Sequence, residues 1–439
     1  MKVLIINYYW PPCGGPAVQR WLNFTRYLPE HGITPYVLTV DDQGGAFPVR
    51  DASLLEQVAP QVRVTRTPAA TGIFDFYKKT IGKGQIPSTN LANEPHPNFL
   101  QKAARFIRGN FFLPDPRRSW NRYATPAAQR LMEQEDIRCV ITAGPPHSTH
   151  LIGRALKRKN ADIQWLADFH DYWTDSSYVH QFYRMYPARQ IDFRYERSVL
   201  READHILTAY QIGCQRLAAK VRWRSPEDFT GLSMGYDEEY FTARPAKGQD
   251  HFRITFTGTM TKNFNVQSFF ETLARLRVSM PELPLRLCFV GWLSDEVRTL
   301  IAAQGLDDLL ETPGYVPHLE AIDYLYRSTV LFLITPDFSG EKYHVPGKLY
   351  EYLATEKPIF CVAPQVSETA EIVRACRAGH CFERHQRQEM YAVLESWAKQ
   401  WQQHKQLDGY HTQKKFQRYS RRNETARLAD LLHQKIALR

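Results

Sequence analysis

Short apolar segments alternate with helical patterns along this chain of 439 residues, and each segment ends at a turn. The first apolar run covers residues 2–8 and leads through Gly14-Gly15 into a helical pattern over 18–28; a second run covers 34–40. Parallel strands need a crossover helix between them, so this order predicts a β-α-β unit. Repetition of the unit along the chain predicts an α/β fold with parallel sheets.

The alternation occurs in two series with a polar stretch between them. In the first series we predict further strands at 139–142, 164–169 and 205–208, with helices at 150–158 and 194–203. In the second series we predict strands at 253–258, 285–290, 330–334 and 358–362, with helices at 266–277, 295–304 and 348–355. Two α/β domains in tandem are therefore expected.

The domain boundaries follow from the same pattern. We predict a first domain over residues 1–241, a polar linker over 242–252 and a second domain over 253–410. Residues 411–439 have helical spacing and are expected to form a terminal helix that packs back across the first domain. Residues from about 74 to 120 are rich in Gly, Pro, basic and aromatic side chains, which predicts a mobile insertion in the first domain.

Composition excludes several classes of protein. The chain is 43% apolar, and none of its segments approaches the roughly 18 uncharged apolar residues that cross a bilayer. Its 7 cysteines are scattered without a Cys-x-x-Cys pair, so no structural zinc site is predicted. The opening residues lack the layout of a signal peptide, and we expect a cytoplasmic protein. The net charge of +10 suits a polyanion, but no nucleic-acid-binding motif is present and a nucleic-acid partner is not predicted.

Two loops of the first domain carry candidate functional residues. Gly14 and Gly15 lie between a strand and a helix, where backbone N–H groups suit a phosphate or an anionic acceptor. The segment Asp168-Phe169-His170-Asp171 follows another strand. Here His170 is a candidate to donate to a substrate oxygen, and Asp168 or Asp171 is a candidate to orient it or to accept a hydroxyl proton. A structural pairing of His170 with either carboxylate is the competing interpretation.

Two further segments in the second domain suit a nucleotide diphosphate sugar. Gly258 and Thr259 follow a strand, with Lys262 close behind to meet a diphosphate. The strongest segment is Pro346-Gly347-Lys348-Leu349, a turn that opens a helix, with Glu351 one turn in. The first helical N–H groups and Lys348 suit phosphate oxygens, and Glu351 suits ribose hydroxyls. Neither glycine turn has the Gly-x-Gly-x-x-Gly frame of a nicotinamide site, so a dehydrogenase is not expected.

These residues, taken in order, resemble glycosyltransferase family 4, whose members are retaining enzymes of the GT-B fold. The resemblance spans nearly the whole chain. It rests on Pro11-Pro12-Cys13-Gly14-Gly15-Pro16, Asp168-Phe169-His170-Asp171, Gly235-Tyr236-Asp237 with Phe241, Gly258-Thr259, and Pro346-Gly347-Lys348-Leu349-Tyr350-Glu351-Tyr352-Leu353 with Lys357-Pro358.

The resemblance implies two Rossmann-like domains facing across a cleft, with the nucleotide-sugar donor held by the second and a glycan or lipid-linked acceptor held by the first. It also implies transfer without a metal or other cofactor and with retention of anomeric configuration. Glu351 matches the second glutamate of the family's Glu-x7-Glu motif, and His170 matches the family histidine near the donor sugar. Tyr343 stands where the motif has its first glutamate, so the sequence leaves open the sugar, its contacts and the base of the donor.

Relatives in the family build surface polysaccharide or lipid-linked glycans at the inner face of the membrane. The resemblance therefore implies a role in polysaccharide biosynthesis, and the basic and aromatic residues from 99 to 120 suit peripheral contact with anionic lipid. A buried aromatic cluster with solvated arginines is the competing interpretation of that segment. Two alternative functions stay open: a nucleotide-sugar 2-epimerase of the same fold, and a catalytically silent scaffold of a glycan-assembly complex, which Tyr343 suggests.

Overall fold

The computed structural model describes residues 1–69, 99–241, 250–337 and 345–437. Contacts between residues divide the chain into two compact units. The first domain comprises Met1–Ser233 with Glu424–Arg439, and the second comprises Met234–Asn423. Each domain has its own parallel sheet and its own hydrophobic core.

Within the described residues, the sheet of the first domain has seven strands in the order β3-β2-β1-β4-β5-β6-β7, and every pair of neighbours is parallel. The strands are β1 Lys2–Asn7, β2 Thr34–Val40, β3 Arg63–Thr67, β4 Cys139–Gly144, β5 Gln164–Phe169, β6 His205–Thr208 and β7 Phe229–Gly231. Strands β1, β4 and β5 are buried along almost their whole length because helices cover both faces of such a sheet.

The helices of the first domain follow the strands that they connect, apart from one at the end of the chain. They are α1 Pro16–Tyr27, α2 Phe99–Phe111, α3 Asn121–Glu135, α4 Thr149–Lys159, α5 Tyr186–Glu202 and α6 Gln211–Ala218. The terminal helix Arg421–Ala437 packs Leu428, Ala429 and Leu432 into the core of this domain, which confirms its predicted return. The chain leaves the domain at Ser233 and re-enters at Glu424, and the Ser233 hydroxyl donates to Glu424 Oε1 at 2.8 Å.

In the part of the second domain that the structure describes, the sheet has six parallel strands in the order β10-β9-β8-β11-β12-β13. They are β8 Phe252–Thr257, β9 Leu285–Val290, β10 Leu310–Gly314, β11 Val330–Ile334, β12 Ile359–Val362 and β13 Gly379–Phe382. The helices are α7 Gln267–Ser279, α8 Asp295–Ala303, α9 His318–Tyr326, α10 Lys348–Ala354, α11 Glu368–Ala375 and α12 Arg387–His404, and the terminal helix of the chain is α13. The rings of Phe269 and Phe332 stack at 3.7 Å in the core.

Both sheets reverse their strand order once, between β1 and β4 in the first domain and between β8 and β11 in the second. Ligands of open parallel sheets bind beyond the carboxyl ends of the strands at such a reversal. The prediction of two α/β domains with parallel sheets is confirmed, and the two reversals indicate where to look for a site in each domain.

The observed boundary between the domains differs from the predicted one. The second domain begins at Met234 rather than near residue 253, and it ends at Asn423. Tyr236 explains the difference, since its N–H donates to the carbonyl of Tyr419 and its carbonyl accepts from the N–H of Arg421. These bonds join the two connecting segments to each other.

The predicted insertion is described only in its second part, residues 99–120, because residues 70–98 lie outside the described ranges. Residues 99–111 form α2, and Trp120 is buried in the core, where its Nε1 donates to the Thr67 hydroxyl at 2.8 Å. These contacts anchor the end of the segment to the sheet. None of the helices in the described part of the chain combines the length and the apolar character needed to cross a membrane.

Candidate functional site

The glycine turn after β1 lies at the reversal of the first sheet. The N–H of Gly14 donates to the Val49 carbonyl at 3.0 Å, so this group is used within the domain. Gly15 is exposed and has a φ of 105°, a backbone conformation that side chains disfavour. Because α1 begins with Pro16, the first residue of the helix has no N–H to offer. Of the predicted pair, Gly15 is therefore the residue placed to meet a ligand.

Asp168 has a structural role. Its side chain has no exposed surface, and its carboxylate accepts from Arg20 Nε at 3.0 Å, Arg20 Nη2 at 2.9 Å and Trp21 Nε1 at 2.8 Å. Arg20 is itself buried and also donates to the Leu232 carbonyl at 2.6 Å. A carboxylate enclosed in this way supports the end of β5 and cannot touch a substrate in this conformation. The predicted catalytic role of Asp168 is not supported by this geometry.

His170 lies at the carboxyl end of β5 and is partly exposed. Its N–H donates to the Gly144 carbonyl at 3.1 Å, which holds the residue beside the end of β4. Burial lowers the pKa of the imidazole, against an opposing effect of Asp171, so the ring is neutral at physiological pH. Within the described ranges Nδ1 has no hydrogen-bond partner. Asp171 is exposed, and the His170 side chain is partly exposed although its Nδ1 atom is buried.

An aromatic cluster that the sequence analysis did not identify lies next to His170. The rings of His147 and Trp173 stack at 5.0 Å, and those of His150 and Phe169 stack at 4.6 Å. Burial lowers the pKa of His147 to about 3 and holds the pKa of His150 well below its ordinary value. Both rings are therefore neutral. The sequence signal was a pair of histidines just after Gly-Pro-Pro at a strand end.

A cavity of about 110 Å³ opens beside this cluster at the carboxyl ends of the strands. Loops after β1, β4 and β5 contribute to it, as does α2. Among the residues that line it are Tyr9, Arg108, Arg117, His147, Trp173 and Arg184. A larger depression of about 1130 Å³ lies at the opposite edge of the sheet, beside residues that precede β4 and β5, away from the candidate residues.

Lys348 and Tyr352 contact the end of β8, where the strand order of the second sheet reverses. The Lys348 ammonium donates to the Thr257 carbonyl and lies 3.7 Å from the centre of the Phe256 ring. Tyr352, one turn later in α10, accepts from the Thr257 N–H at 2.9 Å. Gly258 follows with a φ of 102°, and a Cβ there would approach Lys348 Nζ to 3.0 Å. Burial lowers the pKa of Lys348 to about 7, and a bound anion would favour the charged form of Lys348.

Glu351 pairs with a residue that the sequence analysis did not identify. His318 Nε2, at the start of α9, lies 2.8 Å from Glu351 Oε1, and this hydrogen bond raises the pKa of His318. The ring of Tyr240 lies perpendicular to the same imidazole, with 5.3 Å between the two ring centroids. Both partners remain partly exposed, so the carboxylate is accessible while its orientation is fixed. No feature of the sequence around His318 distinguishes it from a surface histidine.

The loop after β8 exposes the other predicted donor residues. Gly258, Thr259 and Lys262 all face solvent. Asp337, beyond β11, accepts from the Asn265 side chain at 2.8 Å. Arg384 donates to the Thr335 carbonyl at 2.6 Å and adds a guanidinium that was not predicted.

The turn before α10 contributes less than predicted. Leu349 is fully buried and its N–H donates to the Pro346 carbonyl at 2.9 Å, so neither its side chain nor its N–H is available to a ligand. Pro346 is also buried, whereas Gly347 is exposed. Tyr343 and the rest of 338–344 lie outside the described residues, so the position of Tyr343 in the motif stays a prediction from the resemblance.

Comparison with known proteins adds a family match in the second domain. Residues 251–399 match the family model described as Glycosyl transferases group 1. None of the curated proteins matches the sequence.

Several solved structures share the fold of the whole chain. Sucrose-phosphate synthase from Thermosynechococcus elongatus is 14% identical with a TM-score of 0.61, and 100% of each chain is covered. The apo form of the lipopolysaccharide outer core galactosyltransferase WaaB is 12% identical with a TM-score of 0.59, over 99% of this chain and 100% of that one. A Listeria monocytogenes protein assigned as a UDP-N-acetylglucosamine 2-epimerase is 12% identical with a TM-score of 0.55, over 100% and 97%.

These matches confirm the predicted GT-B fold and the resemblance to glycosyltransferases of that fold. Membership of family 4 in particular stays a prediction. Since transferases and an epimerase are both among the similar structures, the fold by itself does not choose between those activities.

Proposed function

We propose that this chain is a glycosyltransferase whose second domain binds a nucleotide diphosphate sugar and whose first domain binds the acceptor. The observation that carries the proposal is the cluster of Gly258, Lys348 and Glu351 at the reversal of the second sheet. This cluster lies within the segment that matches the group 1 glycosyl transferases.

The cluster provides the groups that a nucleotide diphosphate needs. Glu351 is an oriented, accessible carboxylate that can accept from two ribose hydroxyls, and His318 keeps it in place. Lys348 and the exposed Lys262 supply positive charge for the diphosphate, while Gly258 allows its close approach. Cations placed where charge develops also stabilise a departing nucleotide diphosphate.

In the proposed reaction the bond between the anomeric carbon and the diphosphate oxygen breaks, and an acceptor hydroxyl oxygen forms a new bond to that carbon. The hydroxyl proton leaves with the diphosphate or passes to a nearby base. A neutral His170 suits contact with the sugar or with the diphosphate. Retention of configuration and independence of metal ions follow from the family resemblance and are part of the proposal.

The acceptor that we propose is a glycan or a lipid-linked glycan in surface polysaccharide biosynthesis, at the inner face of the membrane. WaaB, a lipopolysaccharide galactosyltransferase with the same fold, supports this class of acceptor.

A nucleotide-sugar 2-epimerase is the second candidate, which the similarity to the Listeria protein favours. An epimerase would convert the donor sugar without any acceptor. A transferase consumes the donor only as fast as it glycosylates an acceptor, apart from slow hydrolysis. The third hypothesis is a catalytically silent scaffold, which would bind its partners without needing Glu351.

The test is a thermal-shift screen of the purified protein against UDP, GDP, ADP and their common sugar conjugates. A ligand that binds the native state raises the apparent stability by mass action, by about 2.7 kcal/mol at 100 times its Kd. We expect one nucleotide family to raise the Tm, and we expect Glu351→Ala to abolish that shift. Glu320→Ala is the matched control, since Glu320 is exposed near the start of α9 and must leave the shift intact. A screen in which no nucleotide shifts the wild-type protein would contradict the donor site.

A further inference from the structure

Two cysteines of the second domain lie side by side on neighbouring strands. Cys361 in β12 and Cys381 in β13 are register partners in the parallel ladder. Just after the pair, the Ala363 N–H donates to the Phe382 carbonyl at 2.9 Å, which fixes the register. Among the strands that the structure describes, these are the only two cysteines that lie opposite each other.

The side chains of the two cysteines point to the same face of the sheet. Side chains alternate between the faces along a strand, and residues in register share a face. Phe360 and Phe382, which neighbour the two cysteines in the chain, belong to the hydrophobic core on the side of α12, and their ring centroids lie 4.8 Å apart. Cys361 and Cys381 therefore face the other side. There α11, which contributes no residue to that core, packs on both strands.

The spacing of the two strands suits a disulfide between these cysteines. Neighbouring strands are about 4.7–4.9 Å apart, and a disulfide joins residues whose Cα atoms are about 4.4–6.8 Å apart. Gly379, two positions before Cys381 on the same face, has no side chain, and a Cβ there would overlap the Ile359 carbonyl oxygen. This glycine lets the two backbones approach closely and leaves room beside the sulfur atoms for the rotations that bring them into contact.

The two cysteines differ in their exposure to solvent. Cys381 is partly exposed, whereas Cys361 and the remaining cysteines of the chain are buried. Neither member of the pair is in a disulfide. An oxidant dissolved in water therefore reaches Cys381 first, since oxidation of cysteine follows exposure. Cys361 is then the neighbouring thiol that resolves the oxidised product.

We infer that Cys361 and Cys381 form a reversible disulfide when the protein meets a peroxide. The Cys381 thiolate attacks one peroxide oxygen, the O–O bond breaks, and the released hydroxide takes up a proton to leave as water. The Cys361 sulfur then attacks the sulfenic acid at Cys381, the S–O bond breaks, and a second water leaves. In total the two thiols lose two electrons and two protons, and one hydrogen peroxide is reduced to two molecules of water.

The disulfide changes the second domain in a defined way. It joins β13, the last strand of the described sheet, to β12 and encloses α11 in a covalent loop. Because the strand spacing lies at the short end of the range for disulfides, the bond is strained and thiol reductants reverse it. The inference goes beyond the proposed function, since it assigns a modification site whose chemistry requires neither a donor nor an acceptor.

The experiment treats the reduced full chain with hydrogen peroxide, blocks the remaining thiols with N-ethylmaleimide and digests the protein with trypsin. Trypsin separates Cys361, Cys376 and Cys381 into the peptides 349–374, 375–377 and 378–384. Mass spectrometry is expected to find the first and third peptides joined, about 2 Da lighter than the sum of their thiol forms, because two hydrogens are lost. This joined species is expected to exceed every other cysteine pair by at least about tenfold, and dithiothreitol is expected to release its two peptides.

Three variants test the role of each cysteine. Cys381→Ser is expected to abolish the joined species. Cys361→Ser is expected to leave the sulfenic acid at Cys381, which dimedone traps, so the order of the two steps is tested. Cys376→Ser is the matched control, because Cys376 lies at the end of α11, between the pair in the chain, and is not part of the ladder. The joined species is expected to persist in this control.

Three outcomes would overturn the inference. Conversion of Cys381 to the sulfinic acid without a joined species would show that Cys361 does not resolve the oxidised thiol. A joined species that contains the peptide 375–377 would assign the partner to Cys376. A joined species that forms only in urea, or not at all, would show that the folded protein does not bring the pair together with the oxidant. The nucleotide screen is unaffected by any of these results, so failure here is distinguishable from failure of the proposed donor site.

Discussion

His318 Nε2 lies 2.8 Å from Glu351 Oε1, and this bond joins the start of α9 to the helix that follows the reversal of the second sheet. The bond does two things at once. It fixes the carboxylate that we propose for the ribose hydroxyls, and it raises the pKa of His318 above its ordinary value. Protonation of His318 and occupation of Glu351 by a nucleotide should therefore be linked.

The first prediction concerns that linkage. Glu351→Gln removes the partner charge, so the pKa of His318 should fall toward its ordinary value of about 6.5. Because the folded-state pKa is raised, the pair stabilises the fold fully below the unfolded pKa and loses that contribution as pH rises through the folded pKa. NMR titration of the His318 ring in both proteins measures the change. An unchanged titration would show that the pair does not form in solution.

Lys348 should make stability rise with pH. Its folded-state pKa of about 7 lies below the ordinary value, so the unfolded chain binds more protons across the range from 7 to 10.5. The free energy of unfolding should increase over that range, at up to about 1.4 kcal/mol per pH unit for this residue. Urea unfolding at several pH values, compared with Lys348→Met, isolates the contribution. Lys262→Met should leave the slope unchanged, since Lys262 is exposed.

Asp168 should affect stability rather than chemistry. Asp168→Asn leaves the buried Arg20 guanidinium without its carboxylate, which typically costs about 3–5 kcal/mol. The turnover of molecules that remain folded should stay within a small factor of wild type. Denaturant unfolding and a donor-consumption assay, corrected for the folded fraction, measure the two effects. A large loss of turnover at full stability would restore a catalytic role to Asp168.

Substitution of His170 should lower turnover with little effect on stability, which is the reverse of the effect expected at Asp168. We expect His170→Asn to lower kcat by about 10²–10⁴-fold, the usual contribution of a positioned proton donor or acceptor. The free energy of unfolding should change by less than about 1 kcal/mol, because within the described ranges Nδ1 makes no hydrogen bond to lose. Steady-state kinetics with the donor from the nucleotide screen provides the test. Near-normal kcat in this variant would exclude the proposed role.

The buried His147 should make the protein sensitive to acid. Its folded-state pKa of about 3 is lowered by burial, so the unfolded chain binds more protons between that value and about 6.5. Stability should therefore fall as pH falls through this range. His147→Phe keeps an aromatic ring against Trp173 and should flatten the loss. Thermal unfolding from pH 7 to pH 4 measures it, and parallel curves for the two proteins would contradict the prediction.

Much of the fold was predictable because apolar runs mark the strands of a parallel sheet directly. The strands predicted at 34–40, 164–169 and 285–290 have those bounds in the structure. The domain boundary was harder, since Tyr236 pairs with a segment almost two hundred positions later and no local pattern reveals it.

The loops that carry the candidate residues were predictable, but the side chains that those residues contact were not. Spacing located Asp168 and His170 at the end of a strand, yet the contacts of Asp168 depend on Arg20, which is 148 positions away. His318 and the cavity beside His147 were missed for the same physical reason. Their chemistry comes from side chains that several strands and helices bring together, and pairwise proximity of that kind is absent from a local pattern.

The second domain is inserted in the chain of the first domain as a cassette, and a hydrogen bond from Ser233 to Glu424 joins the two points of insertion. The chain leaves the first domain and returns to it at adjacent points, and within the cassette Tyr236 and Ser420 form a parallel bridge near its two ends. A short glycine linker from 233 to 424 would therefore join the two parts of the first domain into one continuous chain that keeps β1 to β7 and most of the final helix. Exchange of the cassette between proteins of this fold therefore needs two new junctions, and such an exchange would test the proposed assignment of donor and acceptor binding to separate domains.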